Sequence, residues 1–278
     1  MDFIHNNAVV NGHKIHYVTC GQGRPVLLLH GWPQTWYAWR HIMPELAKEY
    51  TVIAPDLTGL GDSEGAPGFD QQTVADDMYQ LMQQLGHTDI LLVAHDWGAS
   101  IAYQYAVSHP SAVLKLVILD VGIMNASMEN RPLLPRTGKS LWWFPFHMVE
   151  DLPEILIEGK ERVYLNWFFT HSTFNKTAIT DTDLDEYTRC YAAPGAMKRS
   201  LTYYRNVFKT IDNNKVNALT KLTMPVMALG GEHSFGTYPL ESLKTVAENV
   251  TGGVIPDCGH YIAEEQPGLL LERLKKFF

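Results

Sequence analysis

The stretch LLVAHDWGAS, residues 91–100, decides how the chain is read. A run of aliphatic residues ends in His95, Asp96 and Trp97, and small residues follow at Gly98, Ala99 and Ser100. A carboxylate between Ala94 and Gly98 fits the frame of a nucleophile elbow, the sharp turn joining a buried strand to the next helix, with Asp in place of serine. The small residues have a steric purpose, because a bulky side chain two places before or after the nucleophile would clash with the strained turn. The competing reading is an aspartate that merely caps the following helix through its side chain. The pentapeptide alone leaves both open.

Working outward, similar apolar runs recur on both sides. Residues 14–19, 25–29, 51–54, 90–94, 114–119, 225–230 and 252–255 are expected strands, several of them continuously apolar, as strands covered on both faces must be. The stretches WYAWRHIMPELAKEY (36–50), QQTVADDMYQLMQQLG (71–86) and SIAYQYAVSHP (100–110) carry helical spacing, and QPGLLLERLKKFF closes the chain as an amphipathic helix. Alternating strands and helices predict an α/β class with a mostly parallel sheet. From about 123 to 222 the rhythm breaks into helical stretches rich in Trp, Tyr and Phe: 152–171, 181–194 and 196–208. This segment is expected to be a helical cap (123–222) inserted into a core formed by 1–122 and 223–278, lying over the C-terminal edge of the sheet.

Composition narrows the function classes. At 278 residues, with 46% hydrophobic and 19% charged residues, the chain has the make-up of a globular protein with a substantial core. A net charge of −8 argues against nucleic acid or an anionic membrane as partner. No apolar run reaches the roughly 18 residues of a membrane-spanning helix. The opening MDFIHNNAVVNG lacks a basic-then-apolar signal, so a cytoplasmic setting is expected, or a secreted one if the N-terminus has been trimmed. Cys20, Cys190 and Cys258 are widely spaced and form no ligand pattern, so reduced thiols and no metal are expected. The glycosylation-like triplets at Asn125, Asn175 and Asn249 count as chance matches without a secretion signal.

Further motifs fall where an elbow's partners belong. LHGWP (29–33) follows an early strand, where a backbone N–H supplies half of an oxyanion hole, so the Trp32 and Trp97 amides are expected to face one negative oxygen. The glycine-rich loop PDLTGLGDS (55–63) lacks the GxGxxG spacing, which removes a dinucleotide reading. PDCGHY (256–261) sets His260 between the last strand and the last helix, the chain position of a triad base. Two acids at strand ends are candidates to orient it, Asp120 in VILDVG and Glu232 in LGGEHS. The residues leave that choice open, with chain position favouring Glu232.

Together HGWPQTWYAWR, MPELAKEYTVIAPDLTGLGDSEG, VAHDWG, LIEGKER, YYRN and DCGHY resemble the aspartate-nucleophile branch of the α/β-hydrolase superfamily, and within it the Cif-type epoxide hydrolases. The likeness runs over nearly the whole chain. It implies an α/β-hydrolase fold and a cofactor-free opening of a small apolar epoxide to a vicinal diol, with water as the second substrate. It places the charge-relay acid at Asp120, 24 residues beyond Asp96 (120 − 96), and puts Tyr204 where a phenol donates to the epoxide oxygen. The second donor of such enzymes falls here on Trp143, whose indole can donate a hydrogen bond but cannot give up its proton. His147 and His171 are the candidate substitutes, and Phe144 joins them in the expected substrate pocket. Gln266 stands where some relatives carry a cysteine, so no disulfide to Cys258 is expected.

Rival functions remain. A hydrolytic dehalogenase shares the first attack and would hold halide through Trp97 and Trp143, but Trp32 occupies the place of the usual asparagine. The arginines that fluoroacetate dehalogenases carry after the nucleophile are absent at Trp97, Ala99 and Ser100. A small-molecule receptor on the same scaffold is the non-catalytic alternative. A serine esterase is disfavoured because Ser100 lies beyond the elbow. The aromatic cap also offers a surface for a homodimer.

Overall fold

The computed structural model describes residues 3–65, 68–129 and 140–278. Eight strands form one sheet: β1 (Ile4–Val10), β2 (His13–Cys20), β3 (Arg24–Leu29), β4 (Tyr50–Pro55), β5 (Ile90–His95), β6 (Val113–Leu119), β7 (Val226–Gly231) and β8 (Val250–Ile255). Their order is β1-β2-β4-β3-β5-β6-β7-β8, antiparallel at β1–β2 and β2–β4 and parallel from β4 onward. The continuously apolar runs are the central strands, as expected, because both faces are covered. Alternate residues of β3, β5, β6 and β7 feed two cores. Leu27, Leu92, Ile118 and Ala228 enter one, while Leu28, Val93, Val117 and Met227 enter the other.

Two expectations are corrected. The first strand was missed because IHNNAVV is polar and lies at the sheet edge, where one side faces water. The signal that betrays it is Asn11-Gly12, a two-residue hairpin turn with φ of 50° and 88°, which joins β1 to β2 in the register Val10↔His13. The stretch 36–50 is not one helix either. It forms a 3-10 turn at Trp36–Trp39 and a short helix at Met43–Leu46. Pro44, within the first two positions of the short helix, suits a new start better than a continuation.

The helices Gln71–Gln84, Trp97–Ser108 and Pro267–Phe277 stand where the spacing placed them. Between β6 and β7 the described residues hold only helices: Trp143–Met148, Leu152–Ile157, Glu161–Ser172, Asp181–Tyr191, Ala196–Arg205 and Val207–Asn217, besides a short 3-10 turn. Residues 130–139 of the expected cap, and the first two residues of the opening segment, lie outside the described residues. The inter-strand helices are tied to the core loops by specific bonds. Tyr203 donates to the Thr58 carbonyl at 2.8 Å, Tyr191 to that of Gln34 at 3.0 Å, and the Trp32 indole to Ser200 Oγ at 3.3 Å. Among the described residues no helix is long and apolar enough to cross a membrane.

Candidate active site

Strand register brings the site together. Leu29 pairs with Ala94, His95 with Leu119, Leu119 with Leu229, and Gly231 with Ile255. The loops carrying Trp32, Asp96, Asp120 and His260 therefore leave one edge of the sheet at a common level. At the end of β5, Asp96 adopts φ 52° and ψ −123°. That strain costs on the order of 1–3 kcal/mol for a residue with a side chain. The Asp96 side chain makes no capping hydrogen bond to the helix Trp97–Ser108, so the helix-cap reading fails. Instead Oδ1 accepts the Trp32 amide N–H at 2.9 Å.

Glycines make the turn possible. A Cβ on Gly98 would lie 2.4 Å from the carbonyl oxygens of Leu29 and His30, which is the clash anticipated for the position two after Asp96. A Cβ on Gly31 would lie 2.3 Å from that of Asp96, a requirement the sequence reading did not draw.

His260 sits in the loop after β8, its amide donating to Ser172 O at 2.8 Å. Its Nδ1 lies 2.6 Å from Asp120 Oδ2 and its Nε2 3.6 Å from Asp96 Oδ2. Asp120 is fully buried, and its second oxygen accepts the Gly231 amide at 2.7 Å. Glu232 points away: its side chain is 51% exposed and accepts the Asp257 amide at 3.0 Å. The acid within reach of His260 is thus Asp120.

The electrostatics follow from these contacts. Burial disfavours the charged His260 ring, but the hydrogen bond to Asp120 and the nearby carboxylates of Asp120 and Asp96 outweigh it and raise its pKa to about 10. Burial would raise the Asp96 carboxyl, yet the His260 ring 3.6 Å away holds it below the usual range, helped by His95 and the Trp97 amide. Asp120 is pushed up by burial despite its donors. Beneath lies His95, whose pKa is lowered to about 3 by burial and by the charge of His260. Its ring nitrogens meet Gln34 Oε1 at 3.1 Å and the His260 carbonyl at 2.8 Å. Sequence reasoning missed this support. The signal was the buried-strand position of His95 itself, where a polar side chain needs partners.

Tyr204 comes from the helix Ala196–Arg205 and is buried in an aromatic ring of neighbours. Its centroid lies 4.3 Å from that of His147, 5.0 Å from Trp97, 5.0 Å from Phe144 and 5.6 Å from Trp32. Burial, and then the Asp96 charge, raise its pKa well above the ordinary phenol value, so it stays protonated. His147 and Phe144 therefore join the site, together with Tyr164, which the sequence reading overlooked. Tyr164 and Phe168, one helical turn apart, both pack edge-on to Trp32, and that spacing was the available clue.

Two expected pocket residues fare differently. His171 is corrected: it is exposed, stacks on Trp167 at 4.3 Å and bonds the Trp167 carbonyl at 2.7 Å. The buried face of its helix is set by Leu165, Phe168 and Phe169, and His171 stands on the flank. Trp143 is half-buried against Trp142, Phe144 and Phe168. Among the described residues its ring contacts reach neither Tyr204 nor Trp32 nor Trp97.

Metal-type groupings exist elsewhere. His16, Asp56 and Asp62 present ligand atoms within 4.8 Å of one another, as do Glu232, His233 and Asp257. In the first, Asp56 already bonds His16 at 2.8 Å and the Trp36 amide at 2.8 Å, and Asp62 is paired with Arg189 at 2.7 Å. The second lies at the surface, all three residues exposed. Cys20, Cys190 and Cys258 are buried free thiols, and Gln266 donates to the Asp257 carbonyl at 2.9 Å.

Comparison with known proteins places the chain in a family. The chain is 38% identical to a soluble epoxide hydrolase of Corynebacterium sp. (strain C12), over 100% of this chain and 98% of that protein. It resembles the solved Cfl2 of Burkholderia cenocepacia, with TM-score 0.92, 39% identity, and 99% and 96% of the two chains covered. It also resembles the ligand-free epoxide hydrolase CorEH, with TM-score 0.91, 36% identity, and 100% and 99% covered. A family model described as alpha/beta hydrolase fold matches residues 24–267. With an elbow at Asp96 and that match spanning most of its length, the chain belongs to the alpha/beta hydrolase fold family, in its epoxide hydrolase branch.

Proposed function

We propose that the protein opens small apolar epoxides to vicinal diols through a covalent ester on Asp96, using no cofactor. The observation that carries this reading is the division of labour between the two Asp96 oxygens. Oδ1 is held by the Trp32 amide, while Oδ2 faces His260. The free oxygen attacks an epoxide carbon as Tyr204 donates to the departing oxygen. A carboxylate needs no base for this step, so His260 is reserved for the next.

His260, oriented by Asp120, then takes a proton from water as the water attacks the ester carbonyl. The Trp32 and Trp97 amides hold the resulting oxyanion. Proton accounting supports the cycle. The resting imidazolium is stabilised by two carboxylates, and esterification removes one of them. His260 then releases its proton, which ends on the alkoxide by way of the Tyr204 phenol, and recovers one from the attacking water. Collapse of the tetrahedral intermediate breaks the ester C–O bond, the departing alkoxide takes the proton left on the new carboxyl, and the starting charges return with the diol. Residues 123–222 act in this reading as a cap whose aromatic wall, including Phe144, His147 and Tyr204, selects apolar substrates.

The dehalogenase alternative is weaker. It would pair Trp143 with Trp97 as halide donors, and the ring contacts of Trp143 are with Trp142, Phe144 and Phe168 rather than with Trp97. The test is to incubate wild type and Asp96→Asn with aryl and alkyl epoxides, scoring diol, and in parallel with bromoalkanes, scoring halide. Diol from the wild type alone is expected; halide without diol would make the protein a dehalogenase.

A further inference from the structure

The turn that carries His260 is held by a side chain outside the reacting set. Glu265, at the end of the short helix Ile262–Glu265, is only 5% exposed. Among the described residues its carboxylate accepts from backbone amides alone. Oε2 takes the Phe174 N–H at 2.7 Å, that of Gly259 at 3.0 Å and that of Asn175 at 3.1 Å, and Oε1 takes the Tyr261 N–H at 3.1 Å. Gly259 and Tyr261 flank His260 in the chain, whereas Phe174 and Asn175 belong to the segment that follows the helix Glu161–Ser172. That segment meets the turn a second time, because the His260 amide donates to Ser172 O at 2.8 Å. Gly259 lets the two pieces approach: a Cβ there would lie 2.3 Å from Ser172 O and 2.6 Å from Phe174 N.

Four N–H groups on one side chain explain why it is a carboxylate. An ionised carboxylate only accepts and offers about four lone-pair sites. A primary amide of the same shape has one accepting oxygen, and in either orientation its NH2 would face at least one of the four N–H groups. Burying such a charge is costly unless donors replace its water, and here the donors are those of the turn itself. On that turn His260 holds Nδ1 at 2.6 Å from Asp120 and Nε2 at 3.6 Å from Asp96, so a small shift of residues 259–261 moves the ring against both carboxylates. We propose that Glu265 is a positioning residue for His260, clamping residues 259–261 to residues 172–175. This rests on the reading of His260 as the base of ester hydrolysis, in which residues 172–175 belong to the cap.

Two variants separate aim from charge. Glu265→Gln keeps the shape and removes the charge, while Glu265→Asp keeps the charge and shortens the reach. The short bond from His260 Nδ1–H to Asp120 gives a far-downfield proton resonance that needs no substrate. In both variants it should move upfield and exchange faster with water. An unchanged resonance in both overturns the proposal, and so does a change confined to Glu265→Gln, which would make charge rather than aim the cause. With an epoxide that is turned over, single-turnover rates should split. Ester hydrolysis should fall roughly tenfold to hundredfold, and ester formation, which uses Asp96 and Tyr204, should stay within about threefold. Equal loss in both steps, or a lower Tm with both rates kept, marks a merely structural role and overturns the proposal. Should either variant fail to fold, hydrogen exchange in the wild type takes its place. The amides of Phe174 and Asn175, both exposed residues, should be protected together with those of Gly259 and Tyr261; free exchange at the first two overturns the clamp. Absence of diol with every epoxide would count against the functional reading alone, since the resonance and exchange results stand without it.

Discussion

Replacing Asp96 by Asn removes one negative charge beside His260 while keeping the side-chain shape, and the effect can be worked out from the geometry. The two groups are 3.6 Å apart. With an effective dielectric of about 20, a unit charge at that distance is worth about 4–5 kcal/mol, or roughly three pKa units. His260, held at about 10 by Asp120 and Asp96, should therefore titrate in Asp96→Asn at roughly 7. An NMR titration of the ring Cε1–H in both proteins reads this without substrate. A fall of less than about one unit would refute the claim that Asp96 controls the protonation of His260.

The same loss of charge occurs when Asp96 becomes an ester, and this gives a kinetic corollary. In single-turnover experiments, ester hydrolysis should speed up with pH through a midpoint near about 7, as the imidazolium gives up its proton. Ester formation needs ionised Asp96, whose carboxyl lies below the usual range, and protonated Tyr204, whose phenol lies well above it. It should be flat from about pH 5 to about pH 9. Coincident profiles for the two steps would defeat the reasoning.

Other outcomes follow from individual contacts. Asp120→Asn leaves His260 without its charged partner, so ester hydrolysis should slow by roughly 10²–10³-fold and the ester should accumulate, visible as added mass on the intact protein; no accumulation with a slowly released substrate would count against Asp120. Glu232→Gln alters an exposed group that accepts the Asp257 amide and lies 3.8 Å from His233, so steady-state kcat should stay within about twofold, and a large loss would return Glu232 to candidacy. Gly31→Ala drives a methyl into Asp96, and both activity and Tm should fall, by about 1–3 kcal/mol of stability for an overpacked site; wild-type activity with an unchanged melting curve would show that the elbow has slack.

The sequence by itself determined the sheet class, the elbow at Asp96 and the last-loop position of His260. These are local properties: continuous apolar runs report burial on both faces, and small residues around one carboxylate report a strained turn. It missed β1, where a polar edge strand carries no apolar signal beyond its Asn11-Gly12 turn. The residues themselves left Asp120 and Glu232 open and the resemblance pointed to Asp120; only the tertiary structure shows which carboxylate reaches His260. Both close adjacent parallel strands, so their sequence contexts are alike. At Asp120 the chain turns into the left-handed region, φ 57°, and the carboxylate meets His260. At Glu232 the backbone still bonds Ile255 at 3.0 Å, and the side chain points to solvent. The pocket was decided in the same way. His147 and His171 are indistinguishable as lone histidines among aromatics, and the face that each helix buries, set by contacts with Trp32 and Phe168 far apart in the chain, puts the first beside Tyr204 and the second in water.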